Sequence, residues 1–218
     1  MSGLRVQAGA YAPAIAARLE ALRRAGFGPR LLAHDDALWG DDPAHRRVAA
    51  DRLGWLDVPV AMAARAGELA AFAAEVAGEG RTRALLLGMG GSSLAPEVLR
   101  LACGVRPGAL DLGVLDNTSP AAVRAATAAH DPARTLFVVS SKSGGTIEVA
   151  SFERHFWELA HAAQGAGAGR GFAAITDPDT PLAALAAARG YRRTFVNPRD
   201  IGGRYSALSY FGLVPAAL

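Results

Sequence analysis

Cysteine and lysine each occur once in 218 residues, as Cys103 and Lys142. A lone cysteine excludes an internal disulfide and cannot by itself build a thiolate metal site, so a reducing, cytoplasmic setting is expected. Just past a predicted helix, Cys103 reads as a buried small hydrophobe. Positive charge is not scarce, because 22 arginines accompany the single lysine; in so biased a composition, the surviving lysine marks a place where arginine would not serve. Long apolar runs are lacking too. Met1 to Ala10 contains none, and Ala61 to Ala77 is interrupted by Arg65, Glu68 and Glu75, which argues against a signal peptide and a membrane span. Charge of one sign does not accumulate: 23 basic and 20 acidic residues leave +3. The pairs Arg23-Arg24, Arg46-Arg47 and Arg192-Arg193 are far apart and mixed with acids, so no nucleic-acid partner is expected. Repeats of solenoid length are also missing.

What is present is apolar material, 51% hydrophobic residues against 20% charged, enough for one globular domain with a small extension. Up to about residue 80 the pattern is helical, and this segment is expected to pack on a sheet domain spanning 81–218. Four aspartates, Asp35, Asp36, Asp41 and Asp42, read as solvated turns. From residue 83, short apolar runs alternate with helical stretches. The predicted strands are Ala84–Leu87, Leu110–Leu115, Leu136–Val139, Phe172–Ile175 and Thr194–Val196. Ser119 before Pro120, and Thr180 before Pro181, read as helix caps followed by proline at the first helical position. Gly165 to Gly171 reads as a flexible connection. Strands alternating with helices predict an α/β fold: a doubly wound, five-stranded parallel sheet in the flavodoxin-like order 2-1-3-4-5, flanked by helices and preceded by a helical N-terminal segment.

Two strand-to-helix turns carry the chemistry. Gly88-Met89-Gly90-Gly91-Ser92-Ser93 follows the first strand, and Ser140-Ser141-Lys142-Ser143-Gly144-Gly145-Thr146 follows the third. Glycine lets the backbone approach an anion, a helix start adds partial positive charge, and hydroxyls donate further bonds. With strands 1 and 3 at the reversal of strand order, both loops border the crevice where such sheets bind ligands. Hydrogen bonds to a charged group contribute roughly 1.5–3 kcal/mol each, so three or four donors could hold a phosphomonoester without metal. A nucleotide P-loop is not matched, since neither loop has lysine after its last glycine. A dinucleotide site is a rival, because the first loop reads G-x-G-x-x-S with Asp116 ending the second strand, but it leaves the second loop without a role. His155, Glu158 and His161 lack metal-site spacing, and no metal is expected.

Together with Gly202-Gly203-Arg204-Tyr205-Ser206, these loops resemble the phosphoglucose isomerase family, built on the sugar isomerase (SIS) fold. The likeness is greatest to the isomerase part of bacterial proteins that join transaldolase to phosphoglucose isomerase, and runs from about residue 83 to the end. The resemblance implies a glucose-6-phosphate isomerase of glycolysis and gluconeogenesis, acting on a small phosphorylated sugar without a cofactor. It implies that Gly90, Gly91 and Ser92 line the sugar phosphate site, that Ser141, Lys142, Ser143 and Thr146 grip the phosphate, and that Arg204 stabilises the enediolate. Lys142 would serve either as a point charge or by fixing the loop. Glu148, in the first turn of its helix, suits the macrodipole or supports the loop from behind.

Two positions depart from the family pattern: Ser93 stands where an aspartate is usual, and Gly144-Gly145 where a bulkier residue and a threonine are. Substrate preference is affected by these more than phosphate binding. The family's glutamate base, ring-opening histidine and final lysine belong to a second SIS domain and C-terminal region, so this chain alone is expected to be inactive. As a partner, a second copy in a homodimer or a C-terminal SIS domain is expected. The apolar stretch Tyr210 to Leu218 likewise reads as an interrupted end that something else should cover. A non-catalytic module that senses sugar phosphates is the alternative from another class.

Overall fold

Hydrophobic and capping signals in the first fifty residues build short helices with little to bury. The computed structural model describes residues 6–218, and the chain divides into two units, Met1–Leu53 and Gly54–Leu218. In the first unit lie α1 (Ala12–Arg24), α2 (Phe27–Leu32) and α3 (Pro43–Ala50), none of which carries a buried residue. Two of the predicted turn aspartates act as caps. The Asp35 carboxylate accepts from the Ala37 amide at 2.9 Å, and that of Asp42 from Ala44 and His45 at 2.7 and 3.2 Å. A hydrogen bond from Arg30 holds the Asp35 carboxyl below the usual carboxylate range.

The second unit begins with α4 (Val58–Ala63) and α5 (Ala66–Gly78). The division therefore falls at Gly54 and not near residue 80. The reason is burial: Leu69, Phe72 and Val76 of α5 join the core under the sheet, which ties these helices to the strands that follow.

Five strands come next, β1 (Arg83–Gly88), β2 (Asp111–Leu115), β3 (Thr135–Ser140), β4 (Phe172–Thr176) and β5 (Arg193–Val196). All pair in parallel in the order β2-β1-β3-β4-β5, as the alternation of strand and helix signals predicts. The connecting helices are α6 (Leu94–Cys103), α7 (Pro120–Ala129), α8 (Ile147–Gln164) and α9 (Pro181–Ala188), and the chain closes with α10 (Tyr210–Ala217). Continuous runs such as Leu85-Leu86-Leu87 arise because both faces of the sheet are covered. Leu86, Val138 and Ile175 face α5 and α10, whereas Leu85, Phe137, Val139 and Phe172 face α8 and α9.

Four expectations need correction. The apolar C-terminal stretch is not left uncovered. It forms α10, whose Phe211 and Val214 are buried in the core with Leu218, and the Leu110 amide donates to the Leu218 carbonyl at 2.6 Å. Gly165–Gly171 is not a flexible connection but a 3-10 helix with Ala168, Gly169 and Gly171 buried. A β-carbon on Gly169 would lie 2.3 Å from the carbonyl oxygens of Arg189 and Gly190, so this glycine allows close packing. Cys103 is exposed, at the last position of α6. Ser119 precedes α7 but its hydroxyl caps nothing; Asn117 Oδ1 instead accepts from the Ser119 amide at 3.2 Å.

Candidate functional site

Parallel strands deliver their following loops to one edge of the sheet. Register pairs Gly88 with Ser140, so the loops after β1 and β3 leave from neighbouring positions. They are also joined directly: the Ser140 hydroxyl donates to the Ser92 carbonyl at 3.3 Å.

The β1 loop turns through Gly90, at a φ of +53°, into a 3-10 turn over Gly90–Ser92. Positive φ here suits glycine, since an L side chain is strained in that region. Ser93, the departure from the family pattern, is fully buried; its hydroxyl donates to the Gly90 carbonyl at 3.1 Å and makes a long 3.5 Å contact with the Asp116 carboxylate. The acid that a dinucleotide site would use for a ribose thus faces the loop's own serine.

The β3 loop is held by its hydroxyls. Ser141 Oγ lies 3.0 Å from Thr146 Oγ1 and accepts from the Gly144 amide at 3.1 Å, while the Gly145 amide donates to Ser143 Oγ at 3.3 Å. Gly144 has a φ of +66°, and a β-carbon there would meet Thr180 at 2.6 Å. Thr146 is the cap position of α8, an 18-residue helix, whose unpaired first amides face the loop end. Glu148 is half-buried in the first turn of that helix. Ser143 is exposed, and Ser141 is buried.

Lys142 does not project freely. Its ammonium is bound to the Asp177 carboxylate and donates to the Arg199 carbonyl at 3.0 Å. Asp177 follows β4 and Arg199 follows β5, so the lysine spans the edge of the sheet beyond its own loop. Neither partner stands out in the sequence: Asp177-Pro178-Asp179-Thr180 gives only a turn and cap signal, and the pairing depends on two strand crossovers. The cap itself forms, with the Ala183 amide donating to Thr180 Oγ1 at 3.2 Å.

The third segment meets the first loop. A 3-10 helix runs over Gly203–Leu208, and the Ser206 hydroxyl donates to the carbonyls of Gly203 at 2.7 Å and Gly91 at 3.3 Å. The approach is close enough that a β-carbon on Gly91 would stand 2.2 Å from the Gly203 oxygen. Arg204 is exposed, and its side chain makes no hydrogen bond or ion pair among the described residues. Beside it, Tyr205 stacks on Trp55 with ring centroids 5.5 Å apart. Gly90, Gly91, Ser92 and Arg204 are thereby brought into one neighbourhood, and Ser140 links it to the β3 loop.

Other candidates offer less chemistry. A cavity of about 430 Å³ lined by Pro59, Met62, Ala66, Leu69 and Leu213 is apolar and lies against α5 and α10, away from both loops. Among the described residues no three metal-ligating groups cluster. His155 instead lies 2.8 Å from the Thr127 hydroxyl, and His161 stacks on Trp157.

Strand order and the glycine-rich loops at the sheet edge define a doubly wound α/β protein with glycine-rich turns at its topological switch point. The family is settled by comparison. A phosphoglucose isomerase family model matches residues 64–218, and the chain belongs to that family. It is 32% identical over 215 residues to a glucose-6-phosphate isomerase of Thermus thermophilus, an alignment covering 92% of this chain and 48% of that protein. A chloroplastic glucose-6-phosphate isomerase of Arabidopsis thaliana is 38% identical over 149 residues, covering 64% of this chain and 23% of the relative. Among solved structures, a hypothetical protein from Thermus thermophilus superposes with a TM-score of 0.70 at 32% identity, over 91% of this chain and 45% of that one. The glucose-6-phosphate isomerase of Chlamydia trachomatis superposes at 0.61 with 27% identity, over 84% and 33%. The chain spans about half the length of its Thermus relative. No helix among the described residues is long and apolar enough to cross a membrane.

Proposed function

We propose that the chain is the phosphosugar-binding part of a glucose-6-phosphate isomerase, interconverting glucose 6-phosphate and fructose 6-phosphate through an enediolate in the cytoplasm. The observation that carries this reading is the contact of Gly203 with Gly91, which brings the arginine-bearing segment against the β1 loop at the edge it shares with the β3 loop.

The phosphate is held by the hydroxyls of Ser141, Ser143 and Thr146 and the amides of Ser143 and Thr146, with the N-terminus of α8 behind them. Three such bonds to a charged group, at roughly 1.5–3 kcal/mol each, are enough to fix a phosphomonoester. Gly90, Gly91 and Ser92 line the sugar, and Glu148 supports the loop from the first turn of α8. When a proton leaves C2 and returns at C1, negative charge develops on the substrate oxygens. The Arg204 guanidinium stays charged and offers several donors to that oxyanion. Hydrogen moves as a proton, so no cofactor takes part.

The base and the ring-opening groups come from outside these residues, from a second SIS domain. An exposed stripe on α6 supports such a partner: Leu94, Val98 and Leu101, spaced four and three residues apart on one helix face, are 61%, 62% and 68% exposed.

Thermal denaturation with fructose 6-phosphate, inorganic phosphate and NAD tests the reading. Fructose 6-phosphate at a hundredfold excess over its Kd is expected to add about 2.7 kcal/mol of stability, with a smaller response to inorganic phosphate and none to NAD. A response to NAD alone would move the assignment to a dinucleotide site. Steady isomerase turnover by the isolated chain, abolished in Arg204→Ala, would contradict the outside origin of the base.

A further inference from the structure

We infer that Lys142 is a positioning residue that sets the distance between the phosphate-gripping β3 loop and the Arg204 segment, and not itself a phosphate ligand. The inference rests on the phosphosugar reading above and concerns how that site is held together.

Two ends of the lysine are fastened at once. Its ammonium binds the Asp177 carboxylate and the Arg199 carbonyl, while its own carbonyl accepts from the Asp177 amide at 3.2 Å and the Thr176 hydroxyl at 3.4 Å. The pair is sheltered, with side-chain exposures of 26% for Lys142 and 13% for Asp177, so water screens it less than a surface pair. With these two acceptors filled, the charge of the ammonium is already compensated by a carboxylate. That makes it a poor counter-ion for a phosphate dianion.

Arg199 gives the contact its reach. The chain from Arg199 to Gly203 is short and anchored: the Gly54 amide donates to the Asp200 carbonyl at 3.0 Å, Ile201 is buried, and Gly203 lies against Gly91. A shift at the Arg199 carbonyl is therefore passed to Arg204 five residues on. An ammonium is compact and can point separate protons at a carboxylate and a carbonyl in different directions, whereas a guanidinium is a planar fork. This gives a physical reason for the single lysine in a chain with 22 arginines.

The test compares affinities of the wild-type chain, Asp177→Asn and Lys142→Met for fructose 6-phosphate and inorganic phosphate, by calorimetric titration. Fructose 6-phosphate must reach both the β3 loop and Arg204, whereas inorganic phosphate needs the loop alone. Both variants are expected to lose about tenfold in affinity for the sugar phosphate and less than about twofold for inorganic phosphate. Asp177→Asn gives the sharper sign. It removes a negative charge near the anion and frees the ammonium, so a lysine that contacts phosphate directly would bind both ligands more tightly. Unchanged or tightened sugar-phosphate binding in Asp177→Asn overturns the inference, as does an equal loss for both ligands in Lys142→Met. The two variants probe one bond from opposite ends, so misfolding of one leaves the other decisive. A wild-type chain that binds neither ligand would instead refute the phosphosugar reading itself.

Discussion

Single atoms decide several features of this molecule, and Gly91 is the plainest case. Its missing β-carbon leaves room for the Gly203 carbonyl. Gly91→Ala is expected to destabilise by about 1–3 kcal/mol, the usual range for overpacking, and to weaken fructose 6-phosphate binding by displacing Arg204. Urea denaturation and titration together check this; wild-type values in both would show that the two segments do not depend on that contact. Gly113 on β2 is a second case, since a β-carbon would lie 2.8 Å from His130 Nε2. His130 is buried, and its Nδ1–H donates to the Ala126 carbonyl at 2.7 Å. Burial pushes the imidazole below its ordinary value, Arg83 adds to the effect, and the bond to Ala126 opposes it. A depressed folded value means that the unfolded chain takes up the proton first as pH falls. The stabilisation from neutral His130 is therefore complete above the ordinary value of about 6.5 and is lost as pH falls through the folded one. Between pH 7 and 5 the wild type is expected to lose more stability than His130→Asn in denaturant titrations, and parallel slopes would refute it.

Legibility at this scale was uneven. Glycine-rich turns after the first and third strands stood out because they join a backbone requirement to hydroxyl chemistry. The partners of Lys142 did not, because Asp177 and Arg199 are 35 and 57 residues away in sequence and each sits in an ordinary-looking turn. Arg204 was singled out through a resemblance; as a lone arginine among 22 it carried no local signal.

Elements were readable where local pattern and burial agreed. All five strands fall where apolar runs are bounded by turn formers, most plainly β1, β3 and β4, whose coverage on both faces demands apolar residues almost throughout. The C-terminal stretch shows the limit of that logic. Its hydrophobicity is equally consistent with an uncovered end and with a core helix, and only the sheet above it decides. With Phe211 3% exposed, Phe211→Ala is expected to cost about 3–5 kcal/mol, measured by urea denaturation. A cost below 1 kcal/mol would mean that α10 is not part of the core. Thr180 offers a smaller check: loss of its cap to the Ala183 amide in Thr180→Ala should cost about 1 kcal/mol. The buried 3-10 helix at Gly165–Gly171 could not be foreseen, because glycine for close packing and glycine for freedom look alike in sequence.

The second unit, Gly54–Leu218, is built on a sheet whose carboxyl edge gathers segments from four strand ends. Sheet order was legible from the alternation of elements, whereas the division at Leu53/Gly54 was not, because α5 reads as another helix of the N-terminal segment until its apolar face is seen in the core. Every residue proposed to meet the ligand lies within Gly54–Leu218. A chain comprising only that unit is therefore expected to keep the stabilising response to fructose 6-phosphate, and loss of the response in a folded 54–218 chain would require a contribution from the first unit. The central claim, one phosphosugar site built where the β1 and β3 loops meet, is tested most directly by a crystal structure of the chain grown with fructose 6-phosphate. The account predicts phosphate oxygens about 2.7–3.2 Å from donors of Ser141, Ser143 and Thr146, with the sugar extending toward Gly91 and Arg204. A sugar phosphate bound away from both loops would contradict it.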